Sequence, residues 1–283
     1  MRKKITILKD SFFPLYSHQI DHYATRWSHM GYYVSYSYDG NNLDDADMVI
    51  LCIDKSRVPK FWIMKISCIK AKILNFSILD TSKRRFSKLI LGMLSNYAGE
   101  VIVKTNRNAH GGPEMVRDVM QQKAKLFNLN DITQQELKAA KGRLMIKKYQ
   151  TYASAKDVPC FFWDCEDLVV ERYVAKLADH EYYRVYFYSF FGDRGICGYI
   201  DSSEKIVRWE NSANVEYIAP IPIVYYWKNK YRIDFGRFDF LFDKGEWLLI
   251  DINKTEGSSR GYLDIGTYEK EFSYLAEGIK EFI

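Results

Sequence analysis

The sequence predicts an α/β (α+β) protein divided into small lobes, and three observations support this prediction. Short apolar strands alternate with an amphipathic helix in residues 1–77. Strands dominate residues 176–283. The 283 residues, 47% of them hydrophobic, are enough for a sizeable core in one large domain or two to three small lobes. Changes of pattern place the lobe boundaries near residues 78 and 175, so the middle segment is 78–175.

The first segment has the pattern of a small α/β lobe. Ile5–Leu8 is short and apolar and predicts a buried strand. Apolar residues at helical spacing from Ile20 to Met30 predict a helix, which Gly31 ends. Tyr32–Tyr38 and Met48–Ile53 predict two further strands. This order of strand, helix, strand and strand favours parallel pairing.

The rest of the chain continues with both element types. In the middle we expect strands at Lys72–Asn75, Val101–Lys104 and Val169–Val174, a basic helix at Ser82–Met93, and a helix at Pro113–Phe127 whose proline suits a first turn. Towards the end we expect strands at Tyr183–Phe191, Ile196–Ile200, Phe238–Phe242 and Trp247–Asn253, and a closing amphipathic helix from Ile265 to Phe282.

Composition excludes some classes of protein. No apolar run reaches the roughly 20 residues of a membrane span, and the apolar stretch after the basic start is too short for a signal peptide, so we expect a cytoplasmic chain without a membrane partner. The net charge of +5 is compatible with a solvated face, a nucleic-acid patch or a site for an anionic small molecule. Because no nucleic-acid module accompanies the basic residues, a nucleic-acid partner is disfavoured.

The chemistry-bearing pattern lies in two strands near the end of the chain. A Gly-Arg-Phe-Asp strand that contains Asp239 precedes a hairpin turn, and the next strand contains Asp251 and Asn253 two residues apart, on one face. A three-residue loop at Lys244–Glu246 would pair Asp239 with Asp251 and gather all three side chains, whereas a four-residue loop would not. Such hard oxygen donors suit Mg²⁺. The alternative is the polar face of a solvated antiparallel sheet.

This pattern resembles the metal-binding end of the ATP-grasp superfamily. The resemblance rests on Gly-x-x-Asp, the hairpin, Asp-x-Asn and the following Gly257. It implies that Asp239, Asp251 and Asn253 hold magnesium. The chain departs from the usual pattern in having Asp251 in place of glutamate and Glu256 in place of proline, and the second change leaves the shape of the following loop open.

The same resemblance implies a nucleotide site upstream. Lys104 resembles the strand lysine that holds ATP phosphates, and Lys83 lies where a second nucleotide-contacting lysine usually precedes the small lobe. Gly111 and Gly112 fall in the position of the flexible loop that covers the phosphates. Arg184 resembles the arginine that faces the transferred phosphate. Each of the charged residues has a solvent-exposed alternative.

The resemblance also implies a hinge strand that contacts the nucleotide. Its backbone would recognise adenine, and its first residue would meet polar groups of the nucleotide. The residues concerned are Glu171, Arg172, Tyr173 and Val174. The resemblance as a whole spans roughly residues 83–257, and the α/β lobe before it suits the lobe that usually precedes an ATP-grasp fold.

The resemblance implies an ATP- and Mg²⁺-dependent ligase that activates a carboxylate as an acyl phosphate for attack by an amine. Two alternatives stay open: a small-molecule kinase on the same fold, and a non-catalytic nucleotide-binding protein. Partners would be a small-molecule carboxylate and amine. Lys83–Arg85 and Arg208 suggest an anionic acceptor, with a solvated face as the alternative. The substrate is not readable from the sequence, and a homo-oligomer stays open.

Overall fold

The structure is a computed structural model, and it describes residues 2–10, 18–115, 126–140, 143–174, 181–257 and 265–283. Its N-terminal sheet is parallel with strand order β2-β1-β3-β4, which confirms the predicted parallel pairing. The strands are β1 (Lys4–Lys9), β2 (Tyr33–Ser37), β3 (Met48–Cys52) and β4 (Lys72–Leu74). Helix α1 (Gln19–His29) packs on one face of this sheet, and helix α2 (Lys60–Ser67) packs on the other. Covering both faces explains why β3 is buried throughout.

The middle of the chain forms a small three-stranded antiparallel sheet with order β8-β5-β9. Its strands are β5 (Val101–Thr105), β8 (Gln150–Tyr152) and β9 (Leu168–Arg172), and nearby elements are the short parallel strands β6 (Leu126–Phe127) and β7 (Met145–Ile146) and helices α3 (Gln134–Ala139) and α4 (Cys160–Trp163). One face of the sheet packs in a core of its own around Val103 and Phe162. The other face turns towards the cavity described below.

The C-terminal sheet is antiparallel with order β12-β11-β10-β13-β14. Its strands are β10 (Tyr183–Phe191), β11 (Arg194–Ser202), β12 (Asn214–Ile218), β13 (Phe235–Asp243) and β14 (Glu246–Asn253). Helix α5 (Pro222–Tyr231) covers one face through Val224 and Trp227. Helix α6 (Ile265–Ala276) packs through Phe272 and Leu275 into the same core as α1 and the N-terminal sheet.

The predicted basic helix Ser82–Met93 is wrong, because only Lys83–Arg85 form a short 3₁₀ turn. The following residues run beside β9: Leu91 donates its N–H to Val170 at 2.9 Å, and Leu89 accepts the N–H of Arg172 at 2.9 Å. Pairing with a neighbouring strand therefore overrides the local helical pattern.

The predicted helix Pro113–Phe127 is confirmed only at its start. Residues 112–115 are helical, residues 116–125 lie outside the described part of the chain, and Leu126–Phe127 form a strand. The closing helix ends earlier than expected, at Ala276, and Glu277–Glu281 continue as a 3₁₀ helix. Among the residues described, no helix is long and apolar enough to cross a membrane.

Candidate active site

A cavity of about 480 Å³ lies between the three-stranded sheet and the C-terminal sheet. Its lining includes ten of the twelve residues that the sequence predicted as site residues: Lys83, Lys104, Glu171, Arg172, Tyr173, Val174, Arg184, Asp239, Asp251 and Asn253. Its remaining walls are mixed. Apolar side chains such as Ile102, Leu241 and Ile250 line it beside the cations and carboxylates, which is the usual composition of a small-molecule site.

The hairpin register places Asp239 opposite Asp251, as a three-residue loop would have done, but it does so in a different way. The turn has only two residues, Lys244 and Gly245, with φ of 48° and 84°. Positive φ at both positions is the type I′ geometry that suits a tight hairpin. Such a turn alone would pair Asp239 with Ile250. A β-bulge on β14, where Ile250 is the extra residue opposite the step from Asp239 to Phe240, restores the pairing.

Asp239, Asp251 and Asn253 therefore share one face of the sheet, together with Arg237, which pairs with Asn253. Arg237 is buried, and its guanidinium lies 2.7 Å from Asp239 Oδ1 and 3.3 Å from Glu256 Oε1. The sequence pattern did not indicate a role for Arg237. The sequence could have indicated one, because Arg237 is two residues before Asp239 on the same strand and therefore lies on the same face.

The acidic pair fits a hard divalent cation. Burial, followed by repulsion from Asp251 and Glu256, raises the pKa of Asp239 to about 6, although Arg237 opposes the shift. Burial therefore favours the neutral form of Asp239 unless a further cation lies beside it. In the described part of the chain no three His, Cys, Asp or Glu side chains form a metal cluster by themselves. Two carboxylates and one amide suit Mg²⁺, which keeps water and phosphate oxygens as further ligands.

Lys83 brings a buried ammonium to the same cluster. Its Nζ lies 3.7 Å from Asp251 Oδ1 and donates to the carbonyl oxygen of Arg107 at 3.0 Å. The residue is 2% exposed, so it is not a solvent-facing basic side chain. It joins the acidic face of β14 to the loop that follows β5.

Lys104 and Glu171 form an ion pair across β5 and β9. Ile102 pairs with Glu171 in the register, and Lys104 is two residues further along, so the three side chains face the cavity together. Glu171 is fully buried, and its carboxylate accepts no hydrogen bond from the described residues apart from this ion pair. Lys104 therefore has a structural partner and is buried, so the solvent-exposed alternative does not hold for it.

The predicted hinge segment lines the cavity, but part of its backbone is already engaged. The N–H of Arg172 donates to Leu89, and the N–H of Tyr173 donates to Glu100, both at 2.9 Å. Recognition of a base would therefore depend on other backbone groups of the segment. The hydroxyl of Tyr173 also donates to the carbonyl oxygen of Lys205.

The predicted phosphate-covering loop borders the cavity through Ala109 and His110, and the two glycines do not line it. Gly111 has φ of 84°, and a Cβ there would lie 2.3 Å from the Leu144 carbonyl oxygen, so its role is close backbone packing. Gly112 has open space at its Cα.

His110 connects this loop to the C-terminal sheet. Its ring stacks on Tyr149 with centroids 4.2 Å apart, and Arg208 donates to His110 Nε2 at 3.0 Å. Burial, then the charges of Arg208 and Lys83, lowers the pKa of His110 to about 4, so the ring is neutral near pH 7. Only spatial proximity identifies His110 and Arg208 as a pair, because 98 residues separate them.

Arg184 lies at the rim of the cavity, but its guanidinium is engaged elsewhere. It donates to both carboxylate oxygens of Asp201 at 2.7 Å and lies over the ring of Tyr199. In the register Phe187 is opposite Asp239, and side chains alternate along β10, so Arg184 belongs to the opposite face of the sheet. The structure does not bring Arg184 to the acidic pair.

Comparison with known structures identifies the fold. A RimK domain ATP-grasp protein from Sphaerobacter thermophilus DSM 20745 is similar over 99% of this chain and 99% of its own, with a TM-score of 0.53 and 7% identity. The D-cycloserine synthetase DcsG covers 97% of this chain and 99% of its own, with a TM-score of 0.51 and 12% identity. The sequence matches no protein-family model and no curated protein. The chain has the ATP-grasp fold, which confirms the predicted fold class.

Proposed function

We propose that this protein is an ATP- and Mg²⁺-dependent ligase that activates a carboxylate as an acyl phosphate for attack by an amine. One observation carries the proposal: a single cavity holds the acidic pair Asp239 and Asp251, the amide of Asn253, and the ammonium groups of Lys83 and Lys104. This set can neutralise a triphosphate from two sides, with magnesium on the sheet and lysines around it. A synthetase with the same fold supports ligation.

The chain's own residues have distinct parts in this proposal. Asp239, Asp251 and Asn253 would hold Mg²⁺, which would neutralise phosphate charge. Lys104 and Lys83 would bind phosphate oxygens. The apolar side chains of Ile102 and Leu241 would contact the adenine base. We infer that Arg237, rather than Arg184, faces the transferred phosphoryl group, because Arg237 shares the face of Asp239.

The proposed reaction has two steps. A carboxylate oxygen of the substrate attacks the γ-phosphorus of ATP, the bond to the bridging oxygen breaks, and ADP leaves. The amine then attacks the acyl carbon, the C–O bond to phosphate breaks, and the amine proton is released with inorganic phosphate. Exclusion of water by the lobe containing Lys104 would protect the acyl phosphate from hydrolysis.

The test is a turnover screen with Mg·ATP across amino acids, sugar acids and amines, with ADP and phosphate measured together. We expect a carboxylate and amine pair that releases equal amounts of ADP and phosphate. Release of ADP without phosphate on a hydroxyl substrate would favour the small-molecule kinase. Binding of Mg·ATP without any ADP release across the panel would favour the non-catalytic alternative.

A further inference from the structure

We propose that Asn108 is a positioning residue for the magnesium site: its side-chain amide fixes the orientation of the Asn253 amide. The inference rests on the proposed function, because it assumes that Asn253 Oδ1 is a metal ligand. Asn108 belongs to the loop after β5 that is expected to cover the phosphates. The same contact would therefore link placement of that loop to the strand that binds the metal.

The orientation of both amides follows from hydrogen-bond chemistry. Asn108 Nδ2 lies 2.9 Å from the carbonyl oxygen of Ile252, and a carbonyl oxygen can only accept. The atom of Asn108 that faces Ile252 must therefore be the NH₂ group. Its second hydrogen points to the Asn253 side chain at 3.0 Å, so the atom it meets must be the acceptor Oδ1. The carbonyl oxygen of Ile252 thus fixes the orientation of the Asn108 amide, and the Asn108 amide fixes the orientation of the Asn253 amide.

This arrangement keeps the Asn253 oxygen available to a cation. An amide oxygen has two lone pairs, and within the described chain only Asn108 donates to Asn253 Oδ1. Without that donor the amide could rotate by half a turn and present Nδ2, which cannot coordinate Mg²⁺. Groups that orient metal ligands in this way typically change metal affinity by about 10–100-fold when removed.

Asn108 is itself held firmly. Its backbone N–H donates to Ser56 Oγ at 2.9 Å, and the residue is buried. On the neighbouring residue, the Arg107 carbonyl oxygen accepts from Lys83, which also lies near Asp251. The loop therefore meets the acidic face at two adjacent residues, and only the contact from Asn108 reaches a predicted metal ligand through its side chain.

The experiment compares Asn108→Ala with Asn106→Ala. Asn106 directly follows β5 and also makes two partly buried side-chain hydrogen bonds, to the carbonyl of Glu166 and from the N–H of Arg84, but it touches no predicted metal ligand. Mn²⁺ affinity in the presence of saturating ADP is measured by electron paramagnetic resonance. We expect Asn108→Ala to weaken Mn²⁺ binding by about tenfold or more, and Asn106→Ala to leave it unchanged.

The direction in which Mn²⁺ affinity changes in Asn108→Asp distinguishes positioning of the Asn253 amide from an effect of charge alone. The new carboxylate has the shape of the amide, and its added negative charge attracts a nearby cation. It has no hydrogen to donate, so it would turn the Asn253 amide around. We expect weaker Mn²⁺ binding; tighter binding would overturn the proposal. Because this variant keeps the side-chain shape, it also serves if Asn108→Ala does not fold.

A last comparison uses Asn253→Asp, whose two equivalent oxygens need no orientation. In that background Asn108→Ala should have no further effect on Mn²⁺ affinity. An equal loss in both backgrounds would mean that Asn108 acts only through the loop, and the proposal would fail. If the wild-type protein binds no Mn·ADP, the proposed function fails instead. If it does bind and Asn108→Ala matches Asn106→Ala, only the role of Asn108 is lost.

Discussion

The two walls of the cavity have opposite electrostatic character. On the three-stranded sheet, Lys104 and Glu171 form a buried pair whose charges cancel. On the C-terminal sheet, the three carboxylates of Asp239, Asp251 and Glu256 face the two cations Arg237 and Lys83, which leaves an excess of one negative charge. The Lys104–Glu171 pair is neutral without a ligand, whereas the cluster around Asp239 and Asp251 can accept a cation. Substitutions in the pair should therefore affect folding as well as phosphate binding, and substitutions in the cluster should affect metal binding.

The largest expected effect is on stability. Lys104→Ala leaves the fully buried Glu171 carboxylate without its partner, and breaking a buried pair in this way typically lowers the free energy of unfolding by about 3–5 kcal/mol. Chemical denaturation of the apo protein measures it. The double variant Lys104→Met with Glu171→Leu should recover most of that stability. Unchanged stability of Lys104→Ala would mean that the pair is not formed in solution.

On the other wall, we expect the stability of the apo protein to depend on pH through Asp239. Because the pKa of Asp239 is raised from 3.8 to about 6, the folded apo protein binds an extra proton between those values. Its stability should therefore fall as pH rises through this window, by up to roughly 3 kcal/mol. Asp239→Asn should remove this dependence. Denaturation measured from pH 4 to 8 without Mg²⁺ tests the sign, and a wild-type stability that rises with pH through this window would contradict the prediction.

Metal affinity should follow the same titration. Protonated Asp239 cannot serve as an anionic ligand, so Mg²⁺ affinity should rise with pH through about 6 and level off above it. Asp251→Asn should keep the fold and weaken Mg²⁺ binding by at least about tenfold. The effects of Asp239→Asn and Asp251→Asn should be far from additive, because both serve one ion. Isothermal titration with Mg²⁺ and a non-hydrolysable ATP analogue measures both.

The smallest expected effect concerns Arg184. Its guanidinium is paired with Asp201 on the face away from the acidic pair, so Arg184→Met should change turnover much less than Arg237→Met. Comparing kcat and KM for ATP in the two variants tests which arginine faces the phosphoryl group. A greater loss in Arg184→Met would restore the assignment made from the sequence.

Contacts between residues close in the sequence could be predicted, and contacts between distant residues could not. The acidic face of the hairpin was predictable, because strand alternation and a short turn nearly determine it. The means by which Asp239 meets Asp251 was not, since a bulge at Ile250 depends on how the whole sheet twists. The pairing of Lys104 with Glu171 was missed because 67 residues separate them, and nothing in either strand's pattern marks the register between β5 and β9.

A contact with a distant strand also explains why the helix predicted at Ser82–Met93 does not form. Its basic and apolar residues have a helical pattern, but the N–H of Leu91 and the carbonyl oxygen of Leu89 are taken by β9. By contrast, the parallel N-terminal sheet was predicted from the order of its elements, which is strand, helix, strand and strand. The lobe with the most regular local pattern was thus the most predictable.

Helix α6 completes the core of the N-terminal lobe only late in synthesis. The indole N–H of Trp27 in α1 donates to the carbonyl oxygen of Ala276, 249 residues later, at 2.8 Å. Phe272 and Leu275 complete the same core. During synthesis, the N-terminal lobe therefore emerges while the side of α1 that meets α6 is still uncovered. Until that late segment is made, this apolar surface is exposed to aggregation.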